Sequence, residues 1–277
     1  MTPSALVLIL VFLLSKICYS QSFVTVNNKK QLTVQMGKGH PTVIFVNGLG
    51  TDLNDFKRVQ KQIAKITSTI TYDRPGTGKS EEVDSERSID ILAEELHDLI
   101  TVLNVPEKYI LVGHSMGGYI LRLYAKNYPD EVAGLMFIDP SHEDFFQSKL
   151  EIRTQAEKTE LTKKSFEFPE YAPAALKNEF KHFMSTDVAL VKDVSIPNNI
   201  PVTILTAVRV TNIEAQDPRR KEDLDIWLNL HRSWLKDAPQ TRHIVTEKSG
   251  HSIHHDEPQL VIEEIKKLIE NVKANQL

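Results

Sequence analysis

The sequence predicts an α/β fold with a mostly parallel central sheet, helices on both faces and an inserted helical cap. Three observations predict it. Short apolar runs rich in β-branched residues recur at 42–46, 69–72, 109–112, 134–138, 201–208 and 243–246. Segments with apolar residues three or four apart stand between several of them. Strands alternating with helices imply βαβ units, hence a parallel sheet covered on both faces. The stretch of about 140–200 breaks that alternation. It is polar and helix-prone, and carries Phe145, Phe146, Phe166, Phe168, Phe180 and Phe183. An insertion after a strand's C-terminal end sits where such sheets bind ligands, so it reads as a cap over a site.

Taken in order, Phe23–Val26 and Gln31–Met36 predict a hairpin around Asn27-Asn28, giving antiparallel edge strands. Helical spacing is expected over 54–66. Ile89, Leu92, Leu96, Leu99, Ile100 and Leu103 form one apolar stripe. Tyr119–Tyr128 continues as a helix and stops before Pro129. Trp227 and Trp234, with leucines nearby, are expected to pack a helix onto the core rather than bind ligand. Val261, Ile262, Ile265, Leu268, Ile269 and Val272 predict an amphipathic closing helix.

The 277 residues are 41% apolar and 25% charged, enough for one sizeable core. A net charge of -4 with no long run of one sign gives no electrostatic footprint for nucleic acid or an anionic membrane. Ala5–Leu14 is an unbroken apolar run, too short to span a bilayer and suited to a secretory signal. The expected organisation is a signal peptide over 1–20, cleaved near Ser20, and one domain over 21–277. The mature chain is then secreted or periplasmic, with no stable membrane span. An uncleaved anchor is the alternative. Lipid attachment at Cys18 fits poorly with Lys16-Ile17 before it. Cys18 is the single cysteine, so a chain cut after Ser20 has neither disulfides nor thiol catalysis.

Asp73–Ser80, DRPGTGKS, ends like a phosphate-binding P-loop. The full motif needs glycine where Asp73 stands, and Glu81, Glu82 and Asp84 would repel phosphates. Nucleotide binding is not expected. The stronger motif is Gly113-His114-Ser115-Met116-Gly117, a G-x-S-x-G between a strand and a helix. Such a turn is sharp enough to push a serine Oγ out at the top of a sheet, provided that glycines let strand and helix cross. The following helix N-terminus and the Met116 N–H face any oxyanion that develops there. Ser115 is therefore the candidate nucleophile.

With these residues the sequence resembles the α/β-hydrolase family over nearly all of the mature chain. DRPGTGKS resembles that family's D-R-x-G-x-G-x-S loop, a structural turn. Asn47-Gly48-Leu49-Gly50 stands where the family carries its oxyanion loop, with Asn47 in place of the usual His. The resemblance implies a second oxyanion donor at the backbone N–H of Leu49. It places the general base at His251 in Ser249-Gly250-His251, with His254 and His255 as rivals. The family usually sets its acid after the penultimate strand, where no Asp stands at the usual short distance. Some members place it one strand earlier, which offers Asp139; Glu214 and Asp217 are the alternatives. His114 is expected to pack or orient, and His142 to line the cap hinge. No cofactor is implied, and no metal: neither Cys nor H-E-x-x-H supports a zinc site among the C-terminal histidines.

The expected activity is hydrolysis of an ester-type bond in a small, apolar acyl substrate. Serine as nucleophile disfavours the dehalogenase and epoxide hydrolase branches. Peptide, thioester, lactone and C–C substrates stay open, as does a non-catalytic binding protein on the same fold. The cap phenylalanines have two readings, a substrate pocket or packing of cap onto core.

Overall fold

A computed structural model describes residues 18–211, 214–236, 238 and 241–275. Residues 1–17 of the expected signal segment lie outside them. The strands are β1 (Tyr19–Val26), β2 (Lys29–Met36), β3 (Val43–Val46), β4 (Thr69–Tyr72), β5 (Tyr109–His114), β6 (Val132–Ile138), β7 (Val202–Ala207) and β8 (Thr241–Thr246). They form one sheet in the order β1-β2-β4-β3-β5-β6-β7-β8. β1 and β2 pair antiparallel, as do β2 and β4, and every other pair is parallel. Asn27 and Asn28 take φ of 48° and 61°, as a two-residue hairpin turn with matching twist requires.

The helices are α1 (Lys57–Ile63), α2 (Ile89–Val102), α3 (Gly117–Asn127), α4 (Phe145–Glu151), α5 (Gln155–Ser165), α6 (Ala174–Phe183), α7 (Asp187–Val191), α8 (Arg220–Ser233), α9 (Ile253–Asp256) and α10 (Pro258–Asn275). α1 starts later than its apolar spacing suggests. Asp52 Oδ1 accepts from the Asn54 N–H at 2.8 Å and folds 52–56 into turns instead.

Alternation along the buried strands splits the core into two layers. Ile44, Val46 and Leu111 pack with α2 and α3 on one face, and Val43, Phe45, Ile110 and Val112 with α1 and α10 on the other. Four helices, α4 to α7, stand between β6 and β7, inside the segment expected to form the cap. α4 and α5 bury no residue; α6 buries Ala175 and Glu179, and α7 buries Asp187 and Val191. Among the described residues, no helix is long and apolar enough to cross a membrane.

DRPGTGKS is a turn, not a phosphate loop. The Asp73 carboxylate accepts from the N–H groups of Leu53 (2.7 Å) and Lys79 (2.8 Å). Gly78 has φ of 54°, and a Cβ there would sit 2.2 Å from Asp73 Oδ2. Arg74 reaches the other way. Its guanidinium donates to the carbonyls of Asn47 and Gly48, both at 2.9 Å, and forks onto Glu179 of α6. Arg87 contacts the same carboxylate and also pairs with Glu95. The loop after β3 is thus joined to the second half of the cap through buried charges.

Candidate active site

The turn from β5 into α3 is as tight as its glycines suggest. Ser115 takes φ of 52°, a left-handed backbone uncommon for a non-glycine residue. A Cβ at Gly117 would lie 2.6 Å from the Val46 carbonyl, and one at Gly113 would lie 2.9 Å from the Gly117 carbonyl. Ser115 faces a cavity of about 580 Å³ between sheet and cap, which Asp139 and His251 also line.

Asp139 follows β6 and is buried, with φ of 41°. Its Oδ2 lies 2.7 Å from His251 Nδ1. Its Oδ1 accepts from the Ala207 N–H at 2.9 Å and from Trp227 Nε1 at 2.8 Å. A carboxylate accepts but does not donate, so His251 Nδ1 carries the proton and Nε2 holds the lone pair. The alternative acids are engaged in their own loop. Glu214 accepts from the Thr211 N–H and pairs with Arg220, and Asp217 accepts from the Arg219 N–H. Of the three carboxylates considered from sequence, the one against His251 is that of Asp139.

The expected oxyanion donors are the N–H groups of Leu49 and Met116. Met116 is buried at the start of α3. Gly48, just before Leu49, comes so close that a Cβ on it would be 3.3 Å from Ser115 Cβ. The Asn47 side chain donates to the Tyr72 carbonyl at 3.3 Å.

One residue departs from expectation. Trp227 does pack α8, but it also lines the cavity and holds Asp139; no local sequence signal pairs it with that carboxylate. The phenylalanines divide. Phe145, Phe146 and Phe183 line the cavity, whereas Phe168 stacks on Phe180 and Phe166 sits edge-on to Phe146. His142 lines the cavity and stacks on Trp234. Burial, with Arg122 nearby, pulls it down to about 4, so it is neutral at pH 7. The basic groups on the wall are largely matched: Lys149 by Asp223, Arg209 by Asp256 and Arg220 by Glu214.

Neither rival histidine faces this cavity. His255 Nε2 lies 2.7 Å from Asp55 Oδ1, and His254 is buried beside the same carboxylate. Burial pushes Asp55 upward, but His254, His255 and His114 around it hold it below the usual carboxylate range. Burial holds His254 below the usual imidazole range despite Asp55.

The description "alpha/beta hydrolase fold" matches residues 41–192, just over half of the chain. The chain belongs to the alpha/beta hydrolase fold family. It is 28% identical over 225 residues to the uncharacterized protein YqjL of Bacillus subtilis, covering 81% of this chain and 82% of that one. Several other curated relatives are matched over 36% or less of their own length. Among solved structures, a thermophilic esterase from Thermogutta terrifontis superposes with a TM-score of 0.65 at 19% identity, covering 91% of this chain and 99% of that one. A putative acyltransferase from Salmonella enterica superposes with a TM-score of 0.70 at 15% identity, covering 92% and 96%. Likeness at such identities speaks to the fold alone.

Proposed function

We propose that this protein is a serine hydrolase that cleaves an ester-type bond of a small, mainly apolar acyl substrate through an acyl-enzyme. The observation that carries the proposal is the 2.7 Å approach of Asp139 Oδ2 to His251 Nδ1 on the wall of the cavity that Ser115 faces. With Nδ1 protonated, His251 Nε2 accepts the Ser115 proton as Oγ attacks the acyl carbonyl. The carbonyl π electrons move to oxygen, and the N–H groups of Leu49 and Met116 stabilise that oxyanion. The tetrahedral intermediate collapses, the C–O bond to the alcohol breaks, and His251 returns the proton to the leaving oxygen. Water then repeats the sequence on the acyl-enzyme and frees the acid.

The wall supports the substrate class. Phe145, Phe146, Phe183, Met184, Val188 and Leu224 supply apolar surface. The matched basic groups leave little attraction for a strongly anionic substrate. Hydrolysis of p-nitrophenyl esters from acetate to long chain, by wild type and Ser115→Ala, tests the proposal. Activity is expected in the wild type, with a short-to-medium chain optimum, and none in the variant. Activity that survives Ser115→Ala would overturn it. A fluorophosphonate probe that labels wild type but not Ser115→Ala separates the enzyme from a binding protein. Export is proposed on the Ala5–Leu14 run alone, and N-terminal sequencing of secreted material, expected to begin at Gln21, checks it.

A further inference from the structure

Behind the nucleophile, side chains from three segments turn towards one another. Asp55 lies between β3 and α1, His114 ends β5, and His254 lies in α9. Asp55 Oδ2 is 3.2 Å from His254 Nε2 and 3.9 Å from His114 Nδ1, and all three donor atoms lie within 4.8 Å of one another. The three side chains are 9%, 0% and 6% exposed. None of these atoms has a well-aligned hydrogen-bond partner among the described residues.

The tautomer of His114 follows from its other nitrogen. Nε2 lies 3.1 Å from the His251 carbonyl, which only accepts, so Nε2 carries the proton. The lone pair of Nδ1 therefore faces the Asp55 carboxylate. His254 has one N–H to offer: on Nε2 it reaches Asp55 Oδ2 at 3.2 Å, which leaves the His114 Nδ1 lone pair and His254 Nδ1 without a donor. A cation among the three side chains would take up the lone pairs that face it.

We propose that Asp55, His114 and His254 bind a divalent transition-metal ion, Zn²⁺ foremost. Two imidazoles and a carboxylate, with no thiolate, suit Zn²⁺ or Co²⁺ rather than Ca²⁺ or Mg²⁺, which take oxygen ligands. Bonds of about 2.0–2.2 Å to a tetrahedral Zn²⁺ place ligand atoms roughly 3.3 Å apart. The Asp55–His254 separation already has that value, and modest side-chain shifts close the others. The outer contacts also match such a site. His114 donates its remote N–H to a carbonyl, and Asp55 Oδ1 is held by His255. A surface cleft lined by Asp52, Asn54, Asp55 and His255 reaches the carboxylate side of the cluster.

The ion would tie together three segments: the loop beyond Leu49, the residue before Ser115 and the turn after His251. Its role there is positional, and the inference does not depend on the reaction proposed above. No short motif announces the site, because its ligands stand 59 and 140 residues apart.

The test uses the purified chain stripped with a chelator. Zn²⁺ is titrated calorimetrically, and Co²⁺ is followed by its visible absorption. One ion per chain is expected, with a tetrahedral Co²⁺ spectrum and a raised thermal midpoint. Asp55→Asn and His254→Gln are each expected to weaken binding by more than about 100-fold, and His255→Gln by about 10-fold. His40→Gln, at an exposed histidine outside the cluster, should leave binding unchanged. If Asp55→Asn does not fold, His254→Gln and His255→Gln decide. No binding by the wild type, or binding indifferent to these substitutions, would overturn the proposal.

Discussion

Ser115 and Asp139 share a left-handed backbone, with φ of 52° and 41°, at the ends of neighbouring strands. Each such residue costs on the order of 1–3 kcal/mol and persists only where its surroundings over-determine it. For Ser115 the constraint is the glycine-lined crossing. For Asp139 it is the N–H donated to the Leu205 carbonyl at 2.8 Å together with the Ala207 and Trp227 donors on its carboxylate. Asp139→Asn keeps the shape but presents an amide to His251, favouring the wrong tautomer. Ester turnover is expected to fall by about 10⁴-fold, read from kcat of the purified variant. Trp227→Phe removes one charge-assisted hydrogen bond from the same carboxylate, worth about 1.5–3 kcal/mol. Urea unfolding is expected to register that loss, and steady-state kinetics to show a lower kcat with KM less changed. The serine and the histidine were legible because each stands in a short motif. That Asp139, and not Glu214 or Asp217, stands against His251 was only partly legible, since it depends on which strand end the chain brings opposite His251. Trp227 was not legible, because its partner is 88 residues away.

Most elements could be read directly, because a strand buried on both faces and an amphipathic helix each leave a distinct apolar period. The late start of α1 came from a side chain competing for a backbone N–H, which apolar spacing does not register, and β1 starts four residues before the expected Phe23 because Tyr19–Ser22 pair with Thr33–Met36. Polar pairings between elements were also invisible. β7 meets α8 through Thr206, whose hydroxyl lies 2.7 Å from His231 Nδ1 and 2.8 Å from His243 Nε2. His231 Nε2 donates to the Pro140 carbonyl at 2.8 Å, so Nδ1 accepts from Thr206. Burial holds His231 at about 4, below an unfolded value near 6.5. Between those values the unfolded chain binds more protons. Its contribution to stability is therefore complete above about pH 6.5 and is lost as the pH falls towards 4. His142 adds to the trend in the same direction. Urea midpoints at pH 7.5 and pH 5 are expected to drop more in the wild type than in His231→Gln. Equal drops would remove His231 from the account.

At the scale of the whole molecule, the buried chain Arg74–Glu179–Arg87–Glu95 couples the loop that bears Leu49 to the cap. Glu179→Gln leaves the Arg74 guanidinium without a carboxylate in the interior, while Arg87 keeps Glu95, and is expected to cost about 3–5 kcal/mol in urea unfolding. The double replacement Arg74→Met with Glu179→Leu should cost less stability, because neither charge is left alone. It is nonetheless expected to lower kcat of the proposed hydrolysis, because Arg74 no longer holds the carbonyls of Asn47 and Gly48. The same anchoring divides the cap. α6 and α7 are fastened to the core through Glu179, Asp187 and Val191, while α4 and α5 bury nothing, yet Phe145, Phe146 and Lys149 of α4 face the cavity. Sequence drift, or deliberate redesign, can therefore act on the first pair and reshape the cavity while leaving the Asn47–Gly50 loop undisturbed. The second pair is tied to that loop through Glu179 and has no such freedom.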